Sequence, residues 1–377
     1  MNTDDFKDST AGHLIEAEAG VLAFLPAPLP RILQFDPETV YVLDGASRAV
    51  AELSGAGETL PNPYLLIEPF LRREAVLSSR IEGTQASLPD VYVFEASGKA
   101  RTPDTREVAN YVRALGEGQQ RLATLPISTG LIRELHATLM DGVRGDDKRP
   151  GELRDRQVYI AAQGVSIAEA RFVPPPHRMF PGLLADWEQF VHDDGPLPPL
   201  IRCALMHYQF ETIHPFNDGN GRIGRLLIPL FLIERDVLST PLLYVSAYFE
   251  RERSAYYDHL YAVSASGNWR PWLHYFLRGV TEIAIDAAHR VKALRDLHEE
   301  YRRRLQAAHA SANASRLVEE LLVWPVISAP IVANILGVTP AGARLVIERL
   351  RAAGILSPLD QGRPQLYAAQ EILDLLE

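Results

Sequence analysis

His214-Pro215-Phe216-Asn217-Asp218-Gly219-Asn220-Gly221-Arg222-Ile223-Gly224-Arg225 compresses a histidine, a carboxylate, a Gly-x-Gly turn and two arginines into twelve residues. Gly219 and Gly221 let the backbone turn sharply and come close to a ligand. Their N–H groups open a helix expected over 221–235, so they form a nest for anionic oxygens at its positive end. Arg222 and Arg225, three apart, project from one side of that helix as two cationic clamps. Asp218 precedes the nest, where a carboxylate can hold Mg²⁺ against the same phosphates. Pro215 fixes the turn after His214, whose imidazole can take a proton near neutral pH. Together these are the parts of a phosphoryl- or nucleotidyl-transfer site.

Outward from this stretch the chain is mostly helical. Helical spacing of apolar residues predicts helices over 129–140, 181–192 and 199–213 before the motif, and over 251–265 and 271–305 after it. Val291, Leu294, His298, Tyr301 and Leu305 follow a 3-4-3-4 spacing, which suits a connector helix, a dimer seam or a plain packed helix. Two short strands, Gln157-Val158-Tyr159-Ile160 and Ala170-Arg171-Phe172-Val173, read as a hairpin closed by Pro174-Pro175-Pro176. The first sixty residues read as irregular, with Phe24-Leu25-Pro26-Ala27-Pro28-Leu29-Pro30 as an extended segment packed over something else. Helical periodicity starts near Tyr64, carries Phe70, Leu77 and Ile81, and stops at Gly83 as a C′ residue.

Composition narrows the class. The 377 residues are long enough for two or three domains, and 47% hydrophobic with 23% charged residues is ordinary for a globular protein. Acidic residues outnumber basic ones 48 to 38, a formal charge of −10, which argues against a chain that coats nucleic acid or anionic membrane. Cys203 stands alone in an apolar run, so an intrachain disulfide or a multi-cysteine metal site is excluded and a small buried residue is expected. With no basic-then-apolar leader and no long uncharged run, the cytoplasm is the expected address.

The motif resembles the signature loop of the Fic family, His-x-Phe-x-(Asp/Glu)-Gly-Asn-Gly-Arg-x-x-Arg, at every fixed position. The resemblance extends over nearly the whole chain. It implies a mainly α fold: an N-terminal helical cap over 1–105, a helical catalytic core with a β-hairpin flap and connector helix over 106–310, and a winged helix-turn-helix over 311–377. It also implies protein adenylylation, the transfer of AMP from ATP with Mg²⁺ to a Ser, Thr or Tyr hydroxyl of a target protein or of the chain itself. By motif position His214 would be the general base and Asp218 the metal ligand. Gly219, Asn220 and Gly221 would line the anion hole, and Arg222 and Arg225 would grip the β- and γ-phosphates. The Gln157–Ile160 and Arg171–Val173 arms resemble the family's flap, which would hold a target segment by strand addition. One departure lies at the nucleotide end: after Tyr248-Phe249-Glu250, Glu252 stands where relatives carry asparagine, before Tyr256-Tyr257.

A second stretch, Ser78-Ser79-Arg80-Ile81-Glu82-Gly83, ends a helix with a carboxylate facing the negative end of the helix dipole. Some family members carry (Ser/Thr)-x-x-x-Glu-(Gly/Asn) as a self-inhibitory helix, and Ser78, Glu82 and Gly83 match it. Arg225 is the natural partner for Glu82, since its guanidinium would bind either that carboxylate or the γ-phosphate.

The C-terminal unit reads as helix-turn-helix over 329–336 and 339–353, followed by a wing built from Ile355-Leu356, a Gly362-Arg363-Pro364 turn and Gln365-Leu366-Tyr367. Residues 315–377 hold five basic side chains against seven acidic ones. That balance favours docking of protein, or dimerisation, over binding of DNA. Rival readings of the whole chain are removal of AMP from a modified protein, transfer of UMP or phosphate, and a transcription regulator whose nucleotide site only senses.

Overall fold

The computed structural model describes residues 1–58, 64–98, 102–143, 149–161, 164–359 and 364–377. At its centre lie two helices buried on all sides, α7 (Pro199–Ile213) and α8 (Asn220–Glu234), with the signature loop as the turn between them. Every side chain from Leu200 to Phe210 is buried, Cys203 included, and so is every residue from Arg222 to Leu232. A helix apolar all round belongs in the middle of a core, so the loop is fixed by two rigid supports.

The other elements wrap this pair in chain order. A hairpin of β1 (Gly12–Glu16) and β2 (Leu22–Pro26) comes first, followed by α1 (Pro37–Glu58), α2 (Tyr64–Ile81), α3 (Leu88–Ser97), α4 (Pro103–Arg121) and α5 (Thr129–Leu139). After a loop-rich stretch, α6 (Phe180–His192) leads into the central pair. Beyond it lie α9 (Ser246–Arg251), α10 (Arg253–Ser266) and the 39-residue α11 (Trp269–Ala307), which packs along α1. The winged unit adds α12 (Ala312–Glu320), β3 (Val326–Ser328), α13 (Ala329–Leu336), α14 (Pro340–Ala352), β4 (Ser357–Leu359), β5 (Leu366–Ala368) and α15 (Gln370–Leu376), with its strands in the order β3-β5-β4.

Several expectations need correction. Residues 1–58 are not irregular throughout. Antiparallel β1 and β2 put Phe24 into the core, and α1 begins at Pro37 with Asp36 Oδ1 capping the Thr39 amide at 2.7 Å. The helix expected over 251–265 is broken at Glu252 into α9 and α10. Of the readings offered for the 3-4-3-4 stripe of α11, the structure shows a packed helix: Val291, Leu294, Tyr301 and Leu305 are all buried within this chain. The wing strands fall at 357–359 and 366–368 rather than at Ile355-Leu356 and Gln365–Tyr367, and Gly362 and Arg363 of the expected turn lie outside the described residues.

The expected hairpin over 157–173 is a single antiparallel bridge between Ile160 and Phe172, with amide–carbonyl distances of 2.8 and 3.3 Å. Pro174 has no N–H to continue the ladder, and its carbonyl is taken by the Gln157 side chain at 2.8 Å. The outer edge of the same arm is paired instead with β2, where Phe24 N–H donates to the Val173 carbonyl at 2.9 Å.

Candidate active site

His214 ends α7 in the left-handed region (φ 52°), which turns its side chain off the helix path into the loop. Its Nδ1 lies 3.3 Å from the Glu211 carbonyl. Burial and the nearby Arg154 charge push the imidazole down to about 4, so at neutral pH it is uncharged and able to accept a proton.

Arg154 is buried and satisfied by backbone carbonyls. It donates to His214 (2.8 Å), Pro175 (2.6 Å), Arg156 (3.0 Å) and Ile213 (3.5 Å), and its guanidinium lies over the Phe180 ring at 4.6 Å. Sequence reading missed this residue. It ties the loop carrying His214 to the base of the flap.

The loop closes on itself. The Asn220 side chain accepts from Phe216 N–H (2.8 Å) and donates to Phe216 C=O (2.9 Å). Its side chain therefore shapes the turn that presents the Gly219–Gly221 backbone. Gly219 caps α8 at φ 75°, and its N–H meets Asp218 Oδ1 at 2.6 Å. His136 of α5 supports the loop from below, stacking on Phe216 at 3.8 Å with the rings nearly parallel. Gly151 N–H donates to its Nδ1 at 2.8 Å, so the ring proton sits on Nε2 and goes to the Asp218 carbonyl at 3.0 Å. Burial pushes His136 to about 4, which keeps this tautomer neutral.

The two arginines are held apart. Arg222 pairs with Glu107 of α4 at 3.3 Å and lies 3.8 Å from Asp218. Arg225 is fully buried; its Nε donates to Ser78 Oγ (2.9 Å) and its Nη2 to both Ser78 C=O (3.0 Å) and Glu82 Oε1 (2.6 Å). Burial is the largest influence and raises the Glu82 carboxyl, but the charge and hydrogen bond of Arg225 together with the charge of Arg222 outweigh it and hold the group below its usual range. Glu82 follows the last turn of α2, and Gly83 turns the chain away at φ 99°. A Cβ on Gly221 would collide with Glu82 Oε1 and lie 2.9 Å from Arg225 Nη1. Glycine at 221 is thus required for the carboxylate to come down onto the start of α8.

Behind Arg225, the Gly224 carbonyl lies 3.0 Å from His207 Nδ1, which places the ring proton on Nδ1 and leaves Nε2 to accept from Tyr256 O–H at 2.8 Å. Tyr256 of the expected nucleotide end is thereby linked to α8. Glu252, the departure from the family pattern, pairs with neighbouring Arg251 at 3.3 Å at the break between α9 and α10.

Known proteins resemble this chain in the same regions. The profile described as Fic/DOC family N-terminal matches residues 41–120, and the one described as Fic/DOC family matches 126–232. The chain carries Fic/DOC family domains over these two stretches. A probable protein adenylyltransferase of Aquifex aeolicus is 34% identical over 205 residues, 51% of this chain and 59% of that protein. A protein adenylyltransferase of Caenorhabditis elegans is 31% identical over 151 residues, 40% of this chain and 26% of that protein. The chain thus spans between about a quarter and three fifths of the length of these relatives. A Fic family protein from Desulfovibrio desulfuricans G20 shares the fold over 89% of this chain and 97% of its own, with a TM-score of 0.56 at 19% identity.

Proposed function

We propose that this chain transfers AMP from ATP to a hydroxyl side chain of a protein, and that Glu82 holds the reaction in check. One observation carries the reading: a neutral buried imidazole, a glycine nest and a buried arginine converge on one loop, and a carboxylate from α2 occupies the arginine. The relatives named protein adenylyltransferases support the same chemistry.

In this reading the Gly219–Gly221 amides and the positive end of α8 receive the triphosphate, while Arg222 and Arg225 bind its outer phosphates. His214 takes the proton of the attacking hydroxyl, and the flap's Gln157–Ile160 arm aligns the target segment. The donor set fits Mg²⁺. Among the described residues no cluster of three or more metal-ligating side chains exists, and a single carboxylate, Asp218, suits an ion that draws its other ligands from phosphates and water. Bound there, Mg²⁺ would neutralise charge on the phosphates. Among the described residues no single helix is long and apolar enough to cross a membrane, and a cytoplasmic address is part of the proposal.

Incubation with ATP labelled at the α or the γ position, alone and with a lysate, tests the reaction. Retention of label from the α position only is expected. Retention of γ label would make the chain a kinase instead, and no retention by a Glu82→Gly variant would exclude both.

A further inference from the structure

The inhibitory carboxylate sits at the joint between α2 and α3, and both helices rest on the C-terminal unit. Arg72, in the middle of α2, is buried and reaches in four directions. Its Nη1 meets Glu68 of its own helix at 2.7 Å, and its Nε meets Glu95 of α3 at 2.8 Å. Its guanidinium lies over Tyr92 of α3 at 5.4 Å and over Trp324 of the winged unit at 5.2 Å. Around it α3 packs on β3, and α2 packs on α15. The next residue, Arg73, lies 3.8 Å from Asp286 of α11; Asp286 also holds Arg290, which donates to the Leu375 carbonyl of α15 at 2.5 Å.

We propose that the winged unit is a latch on the self-inhibitory element: Trp324 and α15 hold α2 and α3, and so keep Glu82 on Arg225. A guanidinium held by two carboxylates and lying over two rings has a fixed position, and both arms flanking Glu82 are referenced to it. Displacing the unit frees both arms at once, whereas loss of Glu82 removes the block without touching the latch. This inference rests on the self-inhibition reading above.

The test uses the full chain and α-labelled ATP. Trp324→Ala is expected to raise labelling about threefold or more over the wild type, a change of the size that loss of one cation–π contact can produce. The same substitution in a Glu82→Gly background should change nothing further, and Trp324→Phe should stay at the wild-type level. Amides at 76–84 should exchange hydrogen faster in Trp324→Ala. Trp324→Leu, which keeps apolar volume but removes the ring face, should act in the same direction and decides the matter if the alanine variant melts early. If Glu82→Gly activates but the Trp324 variants label at the wild-type rate, the latch is wrong and self-inhibition stands. An equal gain in both backgrounds would place Trp324 in catalysis generally and overturn the latch. No gain from Glu82→Gly itself would remove the self-inhibition reading, and the latch with it.

Discussion

Glu82 Oε1 lies 2.6 Å from Arg225 Nη2 and so close to Gly221 that no Cβ could stand there. A carboxylate thus occupies the mouth of an anion nest and its buried cation together. Since Arg225 cannot serve Glu82 and a γ-phosphate in the same orientation, the pair is the natural point of control.

Glu82→Gly should raise labelling by more than about tenfold, the change expected if the pair contributes over ~1.4 kcal/mol. Ser78→Ala, which loses the 2.9 Å bond to Arg225 Nε, should act the same way more weakly. Adding Arg225→Ala to Glu82→Gly should erase the gain. Comparing initial rates of the three variants with the wild type checks the set; an unchanged or lower rate in Glu82→Gly would point to a role for Glu82 in AMP removal instead.

Gly221→Ala should separate release from activity. The new methyl must push Glu82 away, yet it also crowds Arg225 Nη1 and fills the nest. The expected outcome is an inactive chain that binds ATP less tightly than Glu82→Gly, measured by calorimetry. Activity matching Glu82→Gly would show that the nest does not receive the triphosphate.

His214 should titrate far below an ordinary histidine. Its folded value of about 4 lies beneath the usual ~6.5, so the ring is neutral from about pH 5 upward and gains its proton only in stronger acid. NMR titration of the free protein should place its midpoint below 5. His214→Ala should abolish labelling, a loss of order 10²–10⁴-fold or more, while leaving ATP binding in place.

His136→Ala should destabilise the protein by about 2–4 kcal/mol, because it removes a buried ring stack and leaves the Gly151 amide and the Asp218 carbonyl without their partner. Urea unfolding measures this. Labelling should fall as well, through disorder in the loop that carries Asp218.

Much of the site was legible because its parts lie within twelve consecutive residues, and α7 was read to its ends because Pro199 starts it and the His214-Pro215 step stops it. Ser78 and Glu82 were legible through their resemblance to an inhibitory helix, and Arg225 was read as the partner of Glu82; that the same arginine also binds Ser78 was not read from the sequence. What was hidden lies far away in the chain. Glu107 is 115 residues from Arg222, and His136 is 82 from Asp218; nothing in their own neighbourhoods marks them. The hairpin of β1 and β2 escaped notice because its prolines resemble linker and because consecutive Ala23 and Phe24 are both buried, so no period of two marks the strand. Helix α1 was signalled by Asp36-Pro37-Glu38, a capping residue ahead of an N1 proline.

Arg154 binds carbonyls on both sides of the active site, at Ile213 and His214 on one side and at Arg156 and Pro175 on the other. The two segments joined by the Ile160–Phe172 bridge therefore leave and rejoin the body at one buried side chain. Under the adenylylation proposal, the flap that aligns the acceptor and the loop that carries the imidazole are thus measured from one shared guanidinium, so a shift of either is felt by the other.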